Sequence, residues 1–273
     1  MSSSSNKGVA VVTGASSGIG AVYADRLAKR GHDLILVARN GARLKSLSAR
    51  LTNETGQSVK VIRTDLSNKA ELAKVEATLR SDPSITMLVN NAGTASVAPL
   101  LNADVEKMEE MIALNVTALT RLTYAAAPGF VTRGAGTIIN IASIVGISPE
   151  TLNGVYGATK AYVLALSHSL QHELADKGIR IQAVLPGVTA TELWDIAGLP
   201  YQNLPAEIVM SAEDMVDAAL VGLDQGELVT IPPLHDGDEW TRFEAARRAI
   251  SQRFGNSVPA PRYGIGVPAQ ERA

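Results

Sequence analysis

The sequence predicts an α/β fold in which about seven parallel strands form one doubly wound sheet with helices on both faces. Short apolar runs alternate along the chain with longer amphipathic segments, which is the order that parallel strands and their connecting helices require. The runs are apolar at consecutive positions, as expected for strands that are buried on both faces. The 273 residues fit one large domain. A chain of this length buries about three quarters of its unfolded surface, so it needs neither disulfides nor a metal to fold.

The predicted strands share one property, a short run rich in apolar and often β-branched residues. The first of them, Val9–Thr13, ends directly at Gly14. The predicted strands span residues 9–13, 34–37, 59–62, 87–89, 137–141, 179–184 and 228–231. Since these runs come in sequence with helical segments between them, right-handed crossovers would place them in one parallel sheet.

The predicted helices alternate with these strands. The helix over 19–30 ends before Gly31, a residue type that suits a helix C-terminus. The helix over 41–51 places Leu44, Leu47 and Leu51 on one face. Further helices are predicted near 69–80, 104–131, 156–177 and 238–254. In such a fold, ligands bind beyond the carboxyl ends of the strands, so the residues that follow each strand are the place to search for chemistry.

Composition excludes several classes of protein. The chain has no cysteine, which excludes a disulfide scaffold, a cysteine nucleophile and a thiolate metal site. Its formal net charge of −2 gives no electrostatic reason to bind nucleic acid. No apolar run reaches the ~18 residues that span a bilayer, and the Ser-rich residues 1–6 do not resemble a signal peptide. We therefore expect a cytoplasmic protein with no membrane or nucleic-acid partner.

A glycine-rich turn follows the first predicted strand. Its sequence is Thr13-Gly14-Ala15-Ser16-Ser17-Gly18-Ile19-Gly20, which lacks the Gly-Lys-Ser/Thr ending of a P-loop. Glycine lets the backbone approach a phosphate closely, and the next helix offers free N–H groups and a positive dipole end. We expect a dinucleotide phosphate here, bound by Gly14, Ser16, Ser17, Gly18, Ile19 and Gly20. The alternative is a tight strand–helix turn whose glycines serve packing only.

The end of the second predicted strand indicates which dinucleotide binds. An acidic residue there would bind a ribose 2′-hydroxyl, whereas arginine accepts a 2′-phosphate. Asp33 precedes the strand and stands at the wrong end of the sheet, while Arg39 follows it and Arg43 comes one helical turn later. We therefore predict NADP(H) rather than NAD(H) as the cofactor. The alternative is that Arg39 and Arg43 are solvated arginines without a ligand.

The order of motifs along residues 7–231 resembles the short-chain dehydrogenase/reductase family. Besides the glycine-rich turn, short segments that follow four other strands carry the resemblance. They are Asp65-Leu66, Asn90-Asn91-Ala92-Gly93, Ser143 with Tyr156-Gly157-Ala158-Thr159-Lys160 behind it, and Pro186-Gly187. Asn115, on the predicted helix over 104–131, matches the fourth member of the family's active-site tetrad.

The resemblance implies a single-domain Rossmann sheet and a set of cofactor contacts. We predict the dinucleotide-binding catalytic domain over 7–235 with a substrate lid at about 190–212, a disordered lead-in over 1–6, and a C-terminal helix and irregular tail over 236–273. Asp65 and Leu66 would lie at the adenine. The remaining contacts would come from Asn91, Ala92, Gly93, Tyr156, Lys160, Pro186, Gly187, Val188, Thr189 and Thr191. Pro-Gly turns and helix-capping threonines are the structural alternative for the last five.

The chemistry of Tyr156 and Lys160 can be argued from their side chains. Reduction of a carbonyl leaves an alkoxide that needs a proton, and the ordinary tyrosine pKa of about 10 hinders proton exchange near neutrality. A nearby cation favours phenolate, and Lys160 lies one helical turn after Tyr156. We therefore expect Lys160 to lower the pKa of Tyr156 and Ser143 to stabilise the developing oxyanion. The resemblance implies that Lys160 also bonds the nicotinamide ribose and that Asn115 connects Lys160 through water to a proton relay.

Two further groups of residues have simpler explanations than a site. His168 and His172 have a spacing of four residues on a predicted helix, but no third ligand accompanies them, so we predict no metal. Met108, Met111 and Leu114 are predicted to lie in the core or in a subunit interface rather than in a substrate site.

The segment after Pro186-Gly187 suggests the substrate. It contains apolar residues from Leu193 to Met210 interrupted by prolines, and no cluster of arginine or lysine that would bind a carboxylate. We expect reduction of an apolar ketone or aldehyde, or oxidation of the matching secondary alcohol. The alternatives are a 3-oxoacyl-(carrier) reductase and a non-enzymatic NADPH-binding regulator. Relatives implied by the resemblance assemble through their long helices, so we expect a homotetramer, with a homodimer as the alternative.

Overall fold

The computed structural model describes residues 7–152 and 154–265, which contain one sheet of seven parallel strands. The strands are β1 (Val9–Thr13), β2 (Asp33–Ala38), β3 (Val59–Arg63), β4 (Ile85–Asn90), β5 (Gly136–Ile141), β6 (Ile179–Val184) and β7 (Val229–Thr230). Their order in the sheet is β3-β2-β1-β4-β5-β6-β7. The chain therefore winds outward in one direction to β3 and in the other from β4 to β7. The switch between β1 and β4 opens a crevice at the carboxyl edge.

Helices cover both faces of the sheet. They are α1 (Gly18–Lys29), α2 (Gly41–Thr55), α3 (Lys69–Ser81), α4 (Val105–Ile112), α5 (Leu119–Arg133), α6 (Gly154–Leu174), α7 (Leu193–Ala197), α8 (Ala212–Gln225) and α9 (Gly237–Ser251). Ala10 and Val12 of β1 pack against one helical layer, which is formed by α1, α2 and α8. Val11 between them faces the other layer, formed by α3, α5 and α6. Burial on both faces explains why β1 and β2 are apolar at consecutive positions.

The predicted doubly wound fold is confirmed, with differences at three places. The predicted helical stretch over 104–131 is helical throughout most of its length, but a π-helical turn at Ala113–Ala118 separates α4 from α5. The seventh strand is shorter than predicted and contains only Val229–Thr230. Helix α8 is absent from the sequence prediction, although Ser211 caps it by accepting a hydrogen bond from Asp214 N. A serine followed three residues later by an acid is a helix-start signal that could have identified it.

The described residues form two compact units. The first ends at Pro233 and holds the sheet and α1–α8; the second begins at Leu234 and holds α9 and a short 3₁₀ helix at Pro261–Tyr263. The predicted lead-in over 1–6 and the last eight residues of the predicted tail lie outside the described residues. Within the described part of the chain, none of the helices has the length and apolar character needed to cross a membrane.

Candidate active site

The glycine-rich turn is held against β4 by backbone contacts. A Cβ added to Gly20 would lie 2.4 Å from the carbonyl oxygen of Gly14 and 2.5 Å from Nδ2 of Asn91. Asn91 Nδ2 in turn donates to the carbonyl oxygen of Thr13 at 2.8 Å. Gly14 and Gly18 adopt positive φ angles of +66° and +52°, which residues with a side chain rarely adopt. Only glycine therefore fits at these positions of the turn.

A threonine hydroxyl that the sequence analysis did not single out also fixes this turn. Thr13 Oγ1 accepts hydrogen bonds from the backbone nitrogens of Asn91 and Ala92, at 2.9 and 3.0 Å, and donates to Val89. Helix α1 then begins at Gly18, where the N-cap Ser17 makes no side-chain cap hydrogen bond. The first turn of α1 consequently presents its N–H groups and positive dipole end at the crevice, as a phosphate-binding turn requires.

The two arginines predicted at the 2′-phosphate have different environments. Arg39 follows β2 directly and is exposed. Its carbonyl oxygen accepts a 3.3 Å hydrogen bond from Arg63 Nε. Arg43 instead forms an ion pair with Glu192, with 2.6 Å between Nη1 and Oε2. Asp65 and Leu66 follow β3 as predicted; Asp65 Oδ1 accepts a hydrogen bond from Ser67 N and Leu66 is buried. Asp33 lies at the opposite edge, where it accepts a hydrogen bond from Ser58 N.

Ser143, Tyr156 and Lys160 meet beyond the carboxyl ends of β4 and β5. The Ser143 side chain hydrogen-bonds the phenol of Tyr156, and the Nζ atom of Lys160 lies 5.8 Å from the centre of the Tyr156 ring. Lys160 Nζ donates a 2.9 Å hydrogen bond to the carbonyl oxygen of Ile141. All three side chains are buried. Close backbone packing permits this meeting, since a Cβ on Gly146 would lie 3.0 Å from the backbone of Lys160.

Asn115 lies in the π-helical turn and supports the neighbouring loop. Its Oδ1 accepts a hydrogen bond from Thr94 N at 2.9 Å, and its Nδ2 donates to Thr94 O at 2.9 Å and to Thr159 Oγ1 at 3.1 Å. The Thr159 hydroxyl donates to the carbonyl oxygen of Tyr156 at 2.8 Å. Thr94 and Thr159 thus connect Asn115 to the segment after β4 and to α6. Neither threonine was singled out from the sequence as a support for the site.

The pKa of Tyr156 corrects the expectation drawn from its lysine neighbour. Burial raises the pKa of Tyr156 to about 12, and the Ser143 hydrogen bond lowers it only in part. Burial also lowers the pKa of Lys160 to about 8. Because the Lys160 ammonium is directed to the Ile141 carbonyl, it does not offset the desolvation of the phenol. In the chain by itself, Tyr156 is therefore a proton donor over the whole neutral range.

A cavity of about 280 Å³ opens at these three side chains. Its apolar lining comes from two segments of the chain. One contributes Ile144, Val145 and Leu152, and the other, α7 and the residues around it, contributes Leu193, Trp194, Ala197, Leu199, Leu204 and Ile208. Val97 N donates to the carbonyl oxygen of Ala197 at 3.1 Å, which joins the segment after β4 to α7. Among the described residues that line the cavity, Lys160 is the only charged one.

The other predicted contacts surround the same crevice. Asn91, Gly93, Pro186, Gly187, Val188, Thr189, Thr191 and Ile19 line the cavity together with the catalytic candidates. A Cβ on Gly93 would lie 3.1 Å from Asn115 Oδ1, so this glycine lets the chain pass over the site. Met108 and Met111 are buried and pack against Val145 and Tyr156 from behind. The described residues contain no group of three or more histidines or carboxylates that could hold a metal ion.

The chain is similar in sequence and fold to proteins of known structure. Residues 8–198 match the family model described as short chain dehydrogenase. A short-chain dehydrogenase from Sphingobium yanoikuyae, solved in complex with NADPH, is 50% identical in sequence, with a TM-score of 0.91. The alignment covers 94% of this chain and 100% of that one.

Two further proteins are similar over most of the chain. The bulky-bulky ketone specific alcohol dehydrogenase from Comamonas testosteroni is 44% identical, with a TM-score of 0.88 and coverage of 95% of this chain and 99% of that one. The NADP-dependent 3-hydroxy acid dehydrogenase from Salmonella typhi is 36% identical over 221 residues, or 77% of this chain and 86% of the relative.

Proposed function

The chain belongs to the short-chain dehydrogenase family, and on that basis we propose that it is an NADP(H)-dependent carbonyl reductase and secondary alcohol dehydrogenase acting on bulky apolar ketones. The observation that carries this proposal is the hydrogen-bonded Ser143–Tyr156 pair beside Lys160 in an otherwise uncharged cavity. Such a site offers two hydroxyl donors to one carbonyl oxygen and apolar walls to both of its substituents.

The residues at the crevice fit a phosphorylated dinucleotide. The close backbone contacts of Gly14 and Gly20 leave no room for side chains at the turn, and the first turn of α1 directs its N–H groups there. Arg39 follows β2, a position at which NAD-selective folds of this type carry a carboxylate. Complexes with NADPH and an NADP-dependent activity among the similar proteins agree with this cofactor.

The proposed mechanism assigns one task to each side chain. Ser143 and Tyr156 donate hydrogen bonds to the carbonyl oxygen, which orients the substrate and stabilises the negative charge that develops there. The glycine-rich turn and the first turn of α1 would hold NADPH, which would supply the hydride for the carbonyl carbon. Tyr156 then gives its phenolic proton to the resulting alkoxide, so that one hydride and one proton complete the alcohol. Lys160, which the Ile141 carbonyl holds beside the phenol, would bind the nicotinamide ribose, and Asn115 holds Thr94 and Thr159 in place.

The substrate class follows from the cavity walls. The lining of the cavity that holds the Ser143–Tyr156 pair is mainly apolar, so the substituents of a ketone would contact hydrocarbon. The described lining offers no arginine to a substrate carboxylate. The alcohol dehydrogenase from Comamonas testosteroni, named for bulky-bulky ketones, supports the same class. The 3-hydroxy acid dehydrogenase from Salmonella typhi makes 3-oxo acids the second candidate class.

An NADPH-oxidation assay with matched ketones and acids tests this proposal. We expect kcat/KM for ketones with two bulky apolar substituents to exceed that for 3-oxo acids by about tenfold or more. The acid would bury a carboxylate in a lining whose one described charge, on Lys160, is already bound to the Ile141 carbonyl. A preference for 3-oxo acids would overturn the substrate class. A preference for a carrier-bound 3-oxoacyl chain over the free ketones would favour the carrier reductase, and an absence of turnover would favour the regulator.

The assembly belongs to the same proposal. Large apolar side chains are exposed on α4, α5 and α6, namely Val105, Ile112, Tyr124 and Tyr162. Exposed apolar surface of this kind marks association sites, which supports a homotetramer or a homodimer. Light scattering on the purified chain distinguishes the two from a monomer.

A further inference from the structure

An ion pair joins two segments that are far apart in the sequence and in the sheet. Arg43, in the first turn of α2, follows β2, and Glu192 follows β6; 149 residues separate them. In the strand order, β1, β4 and β5 lie between β2 and β6. Four strand spacings amount to about 19 Å. The chain near Glu192 must therefore cross the carboxyl edge of the sheet to reach Arg43, and the glycine-rich turn after β1 lies on its way.

Contacts with the glycine-rich turn show where this crossing runs. The Ser17 side chain hydrogen-bonds the carboxylate of Glu192. A Cβ added to Gly18 would lie 3.0 Å from Cγ2 of Thr191, so the preceding residue also touches the turn. The hydrogen bond from Arg43 is the main reason that the pKa of Glu192 lies below its usual range. One carboxylate thus contacts both the start of α2 and the phosphate-binding turn.

The crossing segment continues directly into the wall of the substrate cavity. Thr191, Leu193 and Trp194 line that cavity, and Glu192 stands between them. Holding Glu192 therefore holds the start of the segment that we interpret as the substrate lid. The ion pair connects the cofactor side of the crevice to the substrate side.

We propose that Glu192 and Arg43 form a strap that closes the lid segment over the bound dinucleotide, and that Arg43 serves this strap rather than the 2′-phosphate. The proposal rests on the proposed function, since it needs a dinucleotide in the crevice. Arg39 is exposed after β2 and forms no ion pair with the described residues, so its guanidinium is available to the 2′-phosphate. Glu192 and Arg43 are positioning residues, and their effect should not depend on that phosphate.

Binding of two dinucleotides distinguishes the strap from phosphate recognition. NADPH and NADH differ in the 2′-phosphate, so Arg39→Gln should weaken NADPH binding by about tenfold or more and leave NADH nearly unaffected. Glu192→Gln and Arg43→Gln should each weaken both dinucleotides by about two- to five-fold, the range for a half-exposed ion pair. The double variant should be no weaker than either single one, because both remove the same interaction. Arg43→Lys, which keeps the charge, should restore most of the affinity.

The measurement is fluorescence titration of each full-length variant at low and high salt, together with KM and kcat for NADPH and ketone. For Glu192→Gln the increase in KM should exceed the change in kcat, and the effect should shrink at ~1 M salt, where exposed charges are screened. A loss confined to NADPH in Arg43→Gln would overturn the strap and assign Arg43 to the 2′-phosphate. Additive losses in the double variant would also overturn it. If the unaltered chain bound neither dinucleotide, the proposed function itself would be wrong and the strap with it.

Discussion

The glycine-rich turn and the lid segment border the same crevice, but different kinds of contact hold them. Backbone atoms fix the turn, where Gly20 approaches the carbonyl of Gly14 and Asn91 bonds to Thr13 O. Side chains and short helical turns form the lid, in which α7 is followed by 3₁₀ helices at Tyr201–Asn203 and Ala206–Ile208. Ile196 and Ile208 of the lid are more than half exposed.

This difference in contacts determines how many substitutions the turn and the lid can each accept. Where backbone atoms approach so closely that a Cβ atom has no room, only glycine fits. Few sequences can therefore form the same turn. Apolar side chains in the lid can change in size and still enclose a cavity, at a cost that depends on how well the neighbours repack. We therefore expect substitutions in the turn to abolish cofactor binding, and substitutions in the lid to redirect the choice of substrate.

The largest effect is expected where the two regions meet. Tyr156→Phe removes the proposed proton donor and keeps the ring, so turnover should fall by about 10³-fold or more. NADPH should still bind, because the turn does not depend on this hydroxyl. Stopped-flow or steady-state NADPH oxidation measures turnover, and fluorescence titration measures binding. Turnover within tenfold of the unaltered enzyme would contradict the assignment of Tyr156.

The next effect tests the backbone contacts of the turn. Gly20→Ala places a Cβ 2.4 Å from the Gly14 carbonyl oxygen, and relief of that overlap should cost about 3 kcal/mol of unfolding free energy. NADPH affinity should fall with it. Gly237→Ala is the matched control, because a Cβ there meets no atom within 4 Å. Urea denaturation compares the two, and equal stabilities would show that the close approach is not a constraint.

Features that depend on the order of strands and helices along the chain could be predicted from the sequence. The continuous run of apolar and β-branched residues 9–13 predicted β1 to the residue, because burial on both faces leaves one interpretation of such a run. The glycines, Ser143, Tyr156 and Lys160 follow their strands or share a helix, so the topology alone brings them to one edge. The sequence could therefore predict that these residues lie at one edge of the sheet.

Features that depend on tertiary contacts could not be predicted in this way. The π-helical turn at Ala113–Ala118 has ordinary helical composition, and the hydrogen bonds of Asn115 with Thr94 and Thr159 accompany it. The Arg43–Glu192 pair joins residues 149 positions apart. The raised pKa of Tyr156 depends on burial and on the direction of the Lys160 ammonium, neither of which can be derived from a spacing of four residues.

Lys160 should lower the stability of the fold while it supports turnover. Burial lowers its pKa to about 8, so below pH 8 the folded chain carries the cost of a buried charge that the unfolded chain does not. Lys160→Met should raise the unfolding free energy at pH 7 by about 2 kcal/mol, after allowing for the lost hydrogen bond to Ile141. Turnover should fall by about 10²-fold or more.

The pH dependence of the stability gained in Lys160→Met tests whether the buried charge causes it. Between pH 8 and the ordinary lysine pKa of about 10.4, the unfolded chain binds more protons than the folded chain, so the unaltered protein gains stability as pH rises. The advantage of Lys160→Met should therefore decline over this window. Thermal denaturation at pH 7 and pH 10 measures it, and an advantage independent of pH would exclude the buried charge as its cause.

A smaller effect is expected in the lid. Trp194 lines the cavity on α7, whereas Ile196 of the same helix is exposed and is not part of the lining. Trp194→Ala should raise KM for bulky ketones by about tenfold through lost apolar contact and change NADPH affinity far less. Ile196→Ala is the control and should change neither value. An equal loss in NADPH affinity would show that the lid and the turn are not separable.

The smallest effect concerns the helices behind the two regions. Helix α1 follows the turn, α8 follows the lid, and Arg26 of α1 binds Asp217 of α8 through two hydrogen bonds of 2.7 and 3.0 Å. Because the Asp217 side chain is half exposed, Asp217→Asn should cost less than about 1 kcal/mol at pH 7. The hydrogen bond from Arg26 holds the pKa of Asp217 below its usual range.

The dependence of the unfolding free energy on acid pH separates the contribution of the Arg26–Asp217 ion pair from the other contributions to stability. A carboxyl group whose pKa is lower in the folded chain contributes stability above its ordinary pKa of about 3.9, and this contribution disappears as pH falls through the lower folded value. The difference between Asp217→Asn and the unaltered protein should therefore shrink below about pH 4. Glu213→Gln, which removes one exposed carboxylate of the same helix, is the control for the loss of a negative charge. An equal dependence of stability on acid pH in Asp217→Asn and the unaltered protein would mean that the Arg26–Asp217 ion pair does not stabilise the fold.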